Sequence, residues 1–184
     1  MKTKHTALVL TALFAALTAV GAFMKIPMPL LPITMQPVFS VLAGLLLGAR
    51  YGTASQALYM LIGLSGIPIF ASGGGIGYIF MPSFGFILGF VACAAVTGWV
   101  NDNKIGKERL TPFIAAIFGL VTLYIVGGGY MYLILTMVKH KPGINLTYII
   151  STAVFPYIIK DFVLFMLAAA VSLKLKPALK KFYN

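Results

Sequence analysis

Leu146-Thr-Tyr-Ile-Ile-Ser-Thr-Ala-Val-Phe-Pro156-Tyr-Ile-Ile-Lys160-Asp161-Phe-Val-Leu-Phe-Met-Leu-Ala-Ala-Ala-Val-Ser-Leu173 is an apolar stretch with a lysine and an aspartate side by side at its middle. A helix needs ~20 apolar residues to cross ~30 Å of hydrocarbon, so this stretch is long enough to span a bilayer. At 1.5 Å of rise per residue, Asp161 stands ~20 Å from Tyr148 and about as far from Lys174, near the bilayer centre. An aspartate there costs about 2.5–3.5 kcal/mol on insertion scales, so such a residue faces the interior of a helix bundle and marks a ligand or ion path. Adjacent residues point ~100° apart around a helix, so Lys160 and Asp161 are expected not to pair with each other and to need separate partners. Pro156, one turn earlier, frees a backbone carbonyl and is expected to kink the helix toward a cavity.

The rest of the chain repeats the pattern. It has 184 residues, 60% hydrophobic and 9% charged, with a mean hydropathy of +1.00, far outside what one soluble core requires. Apolar stretches recur at 6–23, 38–49, 53–64, 84–100, 113–138 and 146–173, which predicts an all-α bundle of six membrane-spanning helices forming one domain over 1–184. The basic start and apolar run at Met1–Phe23 resemble a signal peptide, but the same hydrophobicity continues along the whole chain, so the segment is taken as the first helix. The second and third stretches are short and divided by Arg50-Tyr51-Gly52; on length alone they form one long helix or a re-entrant hairpin.

Charge decides between these. Lys2 and Lys4 at one end, and Lys174, Lys176, Lys180 and Lys181 at the other, place both termini in the cytoplasm, which requires an even number of crossings. Six crossings also bring Arg50, Lys104, Lys107 and Arg109 inside, against Lys25, Lys139 and Lys141 outside, with Lys160 in the membrane. The net charge of +11 is therefore topological: the basic residues are scattered at segment ends, with none of the clustered face that nucleic acid needs.

The outer loops are predicted to be structured. Pro27, Pro29 and Pro32 make 25–36 a stiff extended cover, and Ser72-Gly-Gly-Gly-Ile-Gly-Tyr78 lies in an equally apolar loop at 66–83. Both can fold over the helices and close a cavity. Backbone N–H groups at Gly73, Gly74 and Gly75 could approach a carboxylate, although a tight turn would need glycine equally. Tyr59, Tyr78, Phe84 and Tyr157 could wall a small ligand, and Trp99 suits an interface belt. Gly127-Gly128-Gly129 implies a kink or a close backbone approach. Ala12, Ala15, Ala16 and Ala19 give overlapping small-x3-small patterns, a candidate partner surface.

Catalysis finds little support. The three acids are Asp102, Glu108 and Asp161, and no second carboxylate or histidine joins Asp161 at membrane depth. His5 and His140 stand at helix ends, and Cys93 is a packing residue. A phosphate-binding loop, a zinc-hydrolase helix and a nucleophile elbow are all missing, so neither cofactor nor metal is expected, and any transport must draw its energy from a partner.

Several blocks in order resemble a known family: Pro32-Ile-Thr-Met-Gln36, Leu42-Ala-Gly-Leu-Leu-Leu-Gly48, Tyr59 to Ala71, Gly73-Gly-Gly-Ile-Gly77, Pro82 to Phe90, and Pro156-Tyr-Ile-Ile-Lys-Asp161. Together they resemble the BioY family, the biotin-binding S components of energy-coupling factor (ECF) transporters. The resemblance implies a six-helix subunit of the bacterial cytoplasmic membrane that captures biotin from outside. It further implies association with a transmembrane coupling protein and two cytoplasmic ATPases, with Ala12 and Ala16 docking on the coupling protein. The family pattern carries a basic residue three positions after the aspartate; here that position is Leu164, and Lys160 precedes Asp161.

Biotin's chemistry fits the residues. An ionised Asp161 accepts hydrogen bonds and suits the two ureido N–H groups, while Lys160 or the backbone of Gly73, Gly74 and Gly75 could take the valerate carboxylate. Ser83, Gln36, Tyr78 or Tyr157 could complete the site. The alternatives are an S component for lipoate or another vitamin, a small membrane enzyme, and a ligand-free scaffold. Lipoate lacks ureido donors, and the enzyme lacks a nucleophile–base pair.

Overall fold

Apolar sequence becomes helix here because hydrocarbon offers backbone N–H and C=O groups no partner, and a helix satisfies them within one segment. The computed structural model describes residues 2–28, 31–140 and 143–183; Pro29 and Lys141 lie outside the described residues, and of Lys2, Lys180 and Lys181 only the backbone is described. In chain order the elements are α1 (Lys2–Phe23), β1 (Lys25–Ile26), β2 (Ile33–Thr34), α2 (Gln36–Leu64), a 3-10 helix (Ile76–Phe80), α3 (Phe84–Asp102), α4 (Thr111–Leu133), α5 (Leu146–Ile149) and α6 (Phe155–Tyr183). Wide π-helical turns extend α4 at Ile134–Val138 and join α5 to α6 at Ile150–Val154. The second of these precedes Pro156, whose ring and missing N–H perturb the turn before it. Among the described residues, 5 helical stretches are long and apolar enough to cross a membrane.

The predicted division of 38–64 lies in a different place. Arg50, Tyr51 and Gly52 are helical, and the break falls at Gly48, with φ 75° and ψ 179°. An L side chain at that conformation is strained, so glycine is what permits it. The chain doubles back there. Gln36 Nε2 donates to Tyr59 Oη at 2.6 Å, whereas 23 intervening steps of straight helix would separate them by ~35 Å. A Cβ on Gly52 would come within 2.8 Å of the Ala43 carbonyl oxygen, so the halves 36–47 and 49–64 touch. The end of α3 holds the break from both sides: Asn101 Nδ2 donates to the Leu45 carbonyl at 3.0 Å, and Asp102 Oδ2 accepts from the Ala49 N–H at 2.9 Å. These side chains satisfy backbone groups that any helix end leaves open.

Around this hairpin, α2 packs on α1 and α3, α3 on α4, and α6 closes against both α2 and α4. Thr18 of α1 and Gln56 of α2, both fully buried, share a hydrogen bond of 3.2 Å, a polar link between helices of the kind found in membranes. On the side where Gln36 lies, β1 and β2 pair antiparallel with Lys25 opposite Thr34 and Ile26 opposite Ile33, giving the proline-rich cover a defined register. A bridge from Phe70 to Gly73 tightens the following loop, and Lys25 Nζ donates to the Ala71 carbonyl, tying the two loops together.

Candidate ligand-binding site

Beneath this cover lies a cavity with about 520 Å³ of space between protein atoms, its mouth included. The 31–37 segment roofs it through Leu31, Pro32, Thr34, Gln36 and Pro37. Phe86, Ile87 and Phe90 of α3 and Leu123 of α4 supply the apolar wall, and Tyr124, Tyr157, Lys160 and Asp161 supply the polar one. Aromatic and aliphatic walls with a few convergent polar groups are the usual construction of a small-molecule site.

Asp161 is 4% exposed, and its two oxygens have different fates. Oδ2 accepts a hydrogen bond from Tyr124 Oη at 2.6 Å, a donor on α4. Oδ1 lies 2.7 Å from Lys160 Nζ, so the adjacent residues do pair, correcting the expectation that they would not. The ~100° offset holds for the Cβ directions, but the four-carbon stem of lysine bends around the helix to reach the cavity wall. The approach has the distance of an ion pair without the angles of a hydrogen bond, and Oδ1 is a buried acceptor with no hydrogen-bond partner among the described residues. The ion pair offsets the charge, but Oδ1 keeps an acceptor direction that no N–H or O–H among the described residues fills. It is the strongest chemical signal in the cavity.

Lys160 also donates to the Thr34 carbonyl at 2.8 Å, and Tyr157 Oη donates to the Leu31 carbonyl. Two side chains of α6 therefore fasten the roof directly above the carboxylate. Ser83 and Tyr78 both line the cavity, with Ser83 Oγ donating to Tyr78 Oη at 3.2 Å. Gln36 lines it as well, but its amide N–H is occupied by Tyr59, whose hydroxyl donates in turn to the Ile69 carbonyl at 3.2 Å.

Gly74 and Gly75 are not among the lining residues of this cavity. The N–H of Gly75 donates to the Gly63 carbonyl at 2.7 Å and that of Gly73 to the Phe70 carbonyl at 3.2 Å, so these donors are consumed in shaping the loop. Tyr59 and Phe84 are buried outside the lining; Phe84 stacks edge-on with Tyr130. Tyr124 and Thr34 also belong to the site, with no motif in the sequence to mark them. Tyr124 could have been flagged as a polar-tipped residue in the middle of an apolar helix, whereas the Thr34 carbonyl is backbone and leaves no sequence signal. On α1, Ala12 and Ala16 are exposed, while Ala15 is buried.

The cavity thus offers one half-free carboxylate, one ammonium, hydroxyls and apolar walls. It can hold a compact ligand with an N–H donor, and its described lining shows no nucleophile–base couple for turnover.

The sequence model of the BioY family matches residues 1–181 of the chain. A relative from Lysinibacillus sphaericus named probable biotin transporter BioY is 48% identical over 130 residues, spanning 71% of this chain and 66%, just under two thirds, of its own length. One from Pyrococcus horikoshii bearing the same name is 35% identical over 164 residues, 89% of this chain and 90% of the relative. A crystal structure of the S-component for biotin from an ECF-type ABC transporter superposes with a TM-score of 0.77, covering 95% of this chain and 92% of that one at 24% identity, which establishes the fold. The chain is a multi-pass membrane protein of the BioY family.

Proposed function

We propose that this chain is the biotin-capturing S component of an ECF-type transporter, a single membrane domain that binds biotin under the 31–37 roof and is not itself an enzyme. The observation that carries the reading is Asp161 Oδ1, a buried acceptor without a hydrogen-bond partner on the wall of a mostly apolar cavity. A ureido N–H supplies the donor it lacks, and the sulfur ring and valerate chain suit Phe86, Ile87, Phe90 and Leu123. Lys160, already bridging Asp161 and the roof, serves the ureido oxygen or the carboxylate; Ser83, Tyr78, Gln36 and Tyr157 complete the polar contacts. Relatives named biotin transporters support the choice of ligand over lipoate.

In this reading the hairpin reversal at Gly48 makes 36–47 and 49–64 two crossings, six in all, and both termini face the cytoplasm. Energy comes from a membrane coupling protein and two cytoplasmic ATPases, with the exposed Ala12 and Ala16 as the docking stripe. The test is thermal denaturation of the detergent-purified protein with biotin and, separately, lipoate. Biotin at 100 times its dissociation constant should add ~2.7 kcal/mol of stability and lipoate much less. Equal shifts, or none with biotin, would sink the assignment.

A further inference from the structure

Two of the three consecutive glycines in α4 have no packing reason to be glycine. A Cβ on Gly127 would come within 2.6 Å of the Phe86 ring, so there α3 and α4 approach too closely for a side chain. A Cβ on Gly128 would meet only Ile149 Cγ2 at 3.4 Å, and one on Gly129 would meet nothing within 4 Å. Glycine weakens a helix interior, and close packing does not account for this pair.

They form the floor of a second hollow. Between α4 and the 146–158 segment runs a groove with about 1030 Å³ of non-atom space, its open side included. Its lining extends along α4 from Leu120 to Tyr132, twelve steps or about 18 Å. One leaflet of the hydrocarbon core is about 15 Å deep. The opposite wall includes Ile150 and Val154 of the π-helical turn, a helix distortion that often accompanies function.

We propose that this groove binds one acyl chain of a membrane phospholipid in the leaflet on the roof side. The length matches a leaflet, and the walls suit a thin chain better than a helix. Helices pack in lipid over flat stripes of small residues, but here Ile125 and Ile150 stand 67% and 48% exposed beside the glycine floor, leaving a slot. At the same end of α4, exposed Lys139 and His140 follow directly after the helix, where a lipid phosphate would sit. Tyr124 is common to the groove and the ligand cavity, so a chain lying in the groove also keeps water from the back of the ring that holds Asp161. The site stands independently of the identity of the captured ligand.

Native mass spectrometry of the full chain tests this, after incubation with dioleoyl phosphatidylglycerol, dioleoyl phosphatidylcholine or oleic acid and a detergent wash. A one-to-one phosphatidylglycerol adduct should survive the wash better than the phosphatidylcholine adduct. Oleic acid retained equally well would assign the binding to the chain alone and overturn the phospholipid. Gly129→Leu should abolish the adduct without lowering the melting temperature, and Val154→Phe should do so from the facing wall if Gly129→Leu folds poorly. An adduct retained by folded variants that fill the groove would overturn the proposal.

Discussion

Asp102 and Asp161 are the same residue in two different accounts. Asp102, exposed at the end of α3, accepts from the Ala49 N–H at 2.9 Å, where a second helix begins after the break at Gly48. Its task is finished within the protein, because it satisfies a backbone donor that the turn leaves open. Asp161, buried at 4% exposure, has one oxygen held by Tyr124 at 2.6 Å and the other within 2.7 Å of an ammonium that gives it no aligned hydrogen bond. The first shapes the fold; the second is left incomplete at the edge of a cavity. One carboxylate has its backbone donor within the fold, and the other keeps an oxygen open to a donor from outside it.

The largest effect should come from Asp161→Ala. Removing the acceptor loses the ligand's charged hydrogen bond and leaves Lys160 only the Thr34 carbonyl, so biotin affinity measured by titration calorimetry should fall at least about 100-fold, on the order of 3 kcal/mol. The unliganded protein should lose stability as well, since the Lys160 ammonium and the Tyr124 hydroxyl lose their common partner, so affinity is read below the melting temperature of the variant. Unchanged affinity would place the two aspartates in one class. Tyr124→Phe sharpens the contrast with a smaller effect. Loss of one donor to a buried carboxylate should destabilise the unliganded protein by about 1–3 kcal/mol, read as a lower melting temperature. Saturating biotin should recover part of that loss, because a ureido group brings donors of its own. A deficit that biotin leaves untouched would mean that Tyr124 acts on packing alone.

The sequence made the membrane class and the inward-facing position of Asp161 legible, because apolar length and a charge at membrane depth are one-dimensional signals. The helix break was harder to place. Arg50 suggested a boundary by its charge, whereas the true reversal depends on the backbone angles of Gly48, which stands unmarked after Leu45-Leu46-Leu47. Gly73-Gly74-Gly75 is hard to read for a related reason: glycine marks freedom of the backbone, and nothing in its spacing says that the N–H groups of Gly73 and Gly75 face Phe70 and Gly63. Lys160 was misjudged because Cβ direction does not limit a side chain with four methylenes. Tyr124 meets Asp161 across 37 residues, a contact that exists only once α4 and α6 are packed.

The smallest effect is expected at Asp102, and there the conservative change is as informative as the drastic one. Asp102→Ala removes the acceptor for the Ala49 N–H, which should cost about 0.5–1 kcal/mol of stability, in the lower range for a lost cap because the site is exposed. Asparagine accepts a hydrogen bond nearly as well, so Asp102→Asn should lose only the interaction of charge with the helix start, about 0.3–1 kcal/mol and screened by salt. Neither change alters the cavity wall, so both variants should bind biotin as the parent does once their melting temperatures are matched by temperature or lipid. If Asp102→Asn instead weakened biotin binding by more than a few-fold, the break at Gly48 would be coupled to the site through α2. Gln36, at the far end of the same hairpin and in the roof, would be the natural carrier of that coupling.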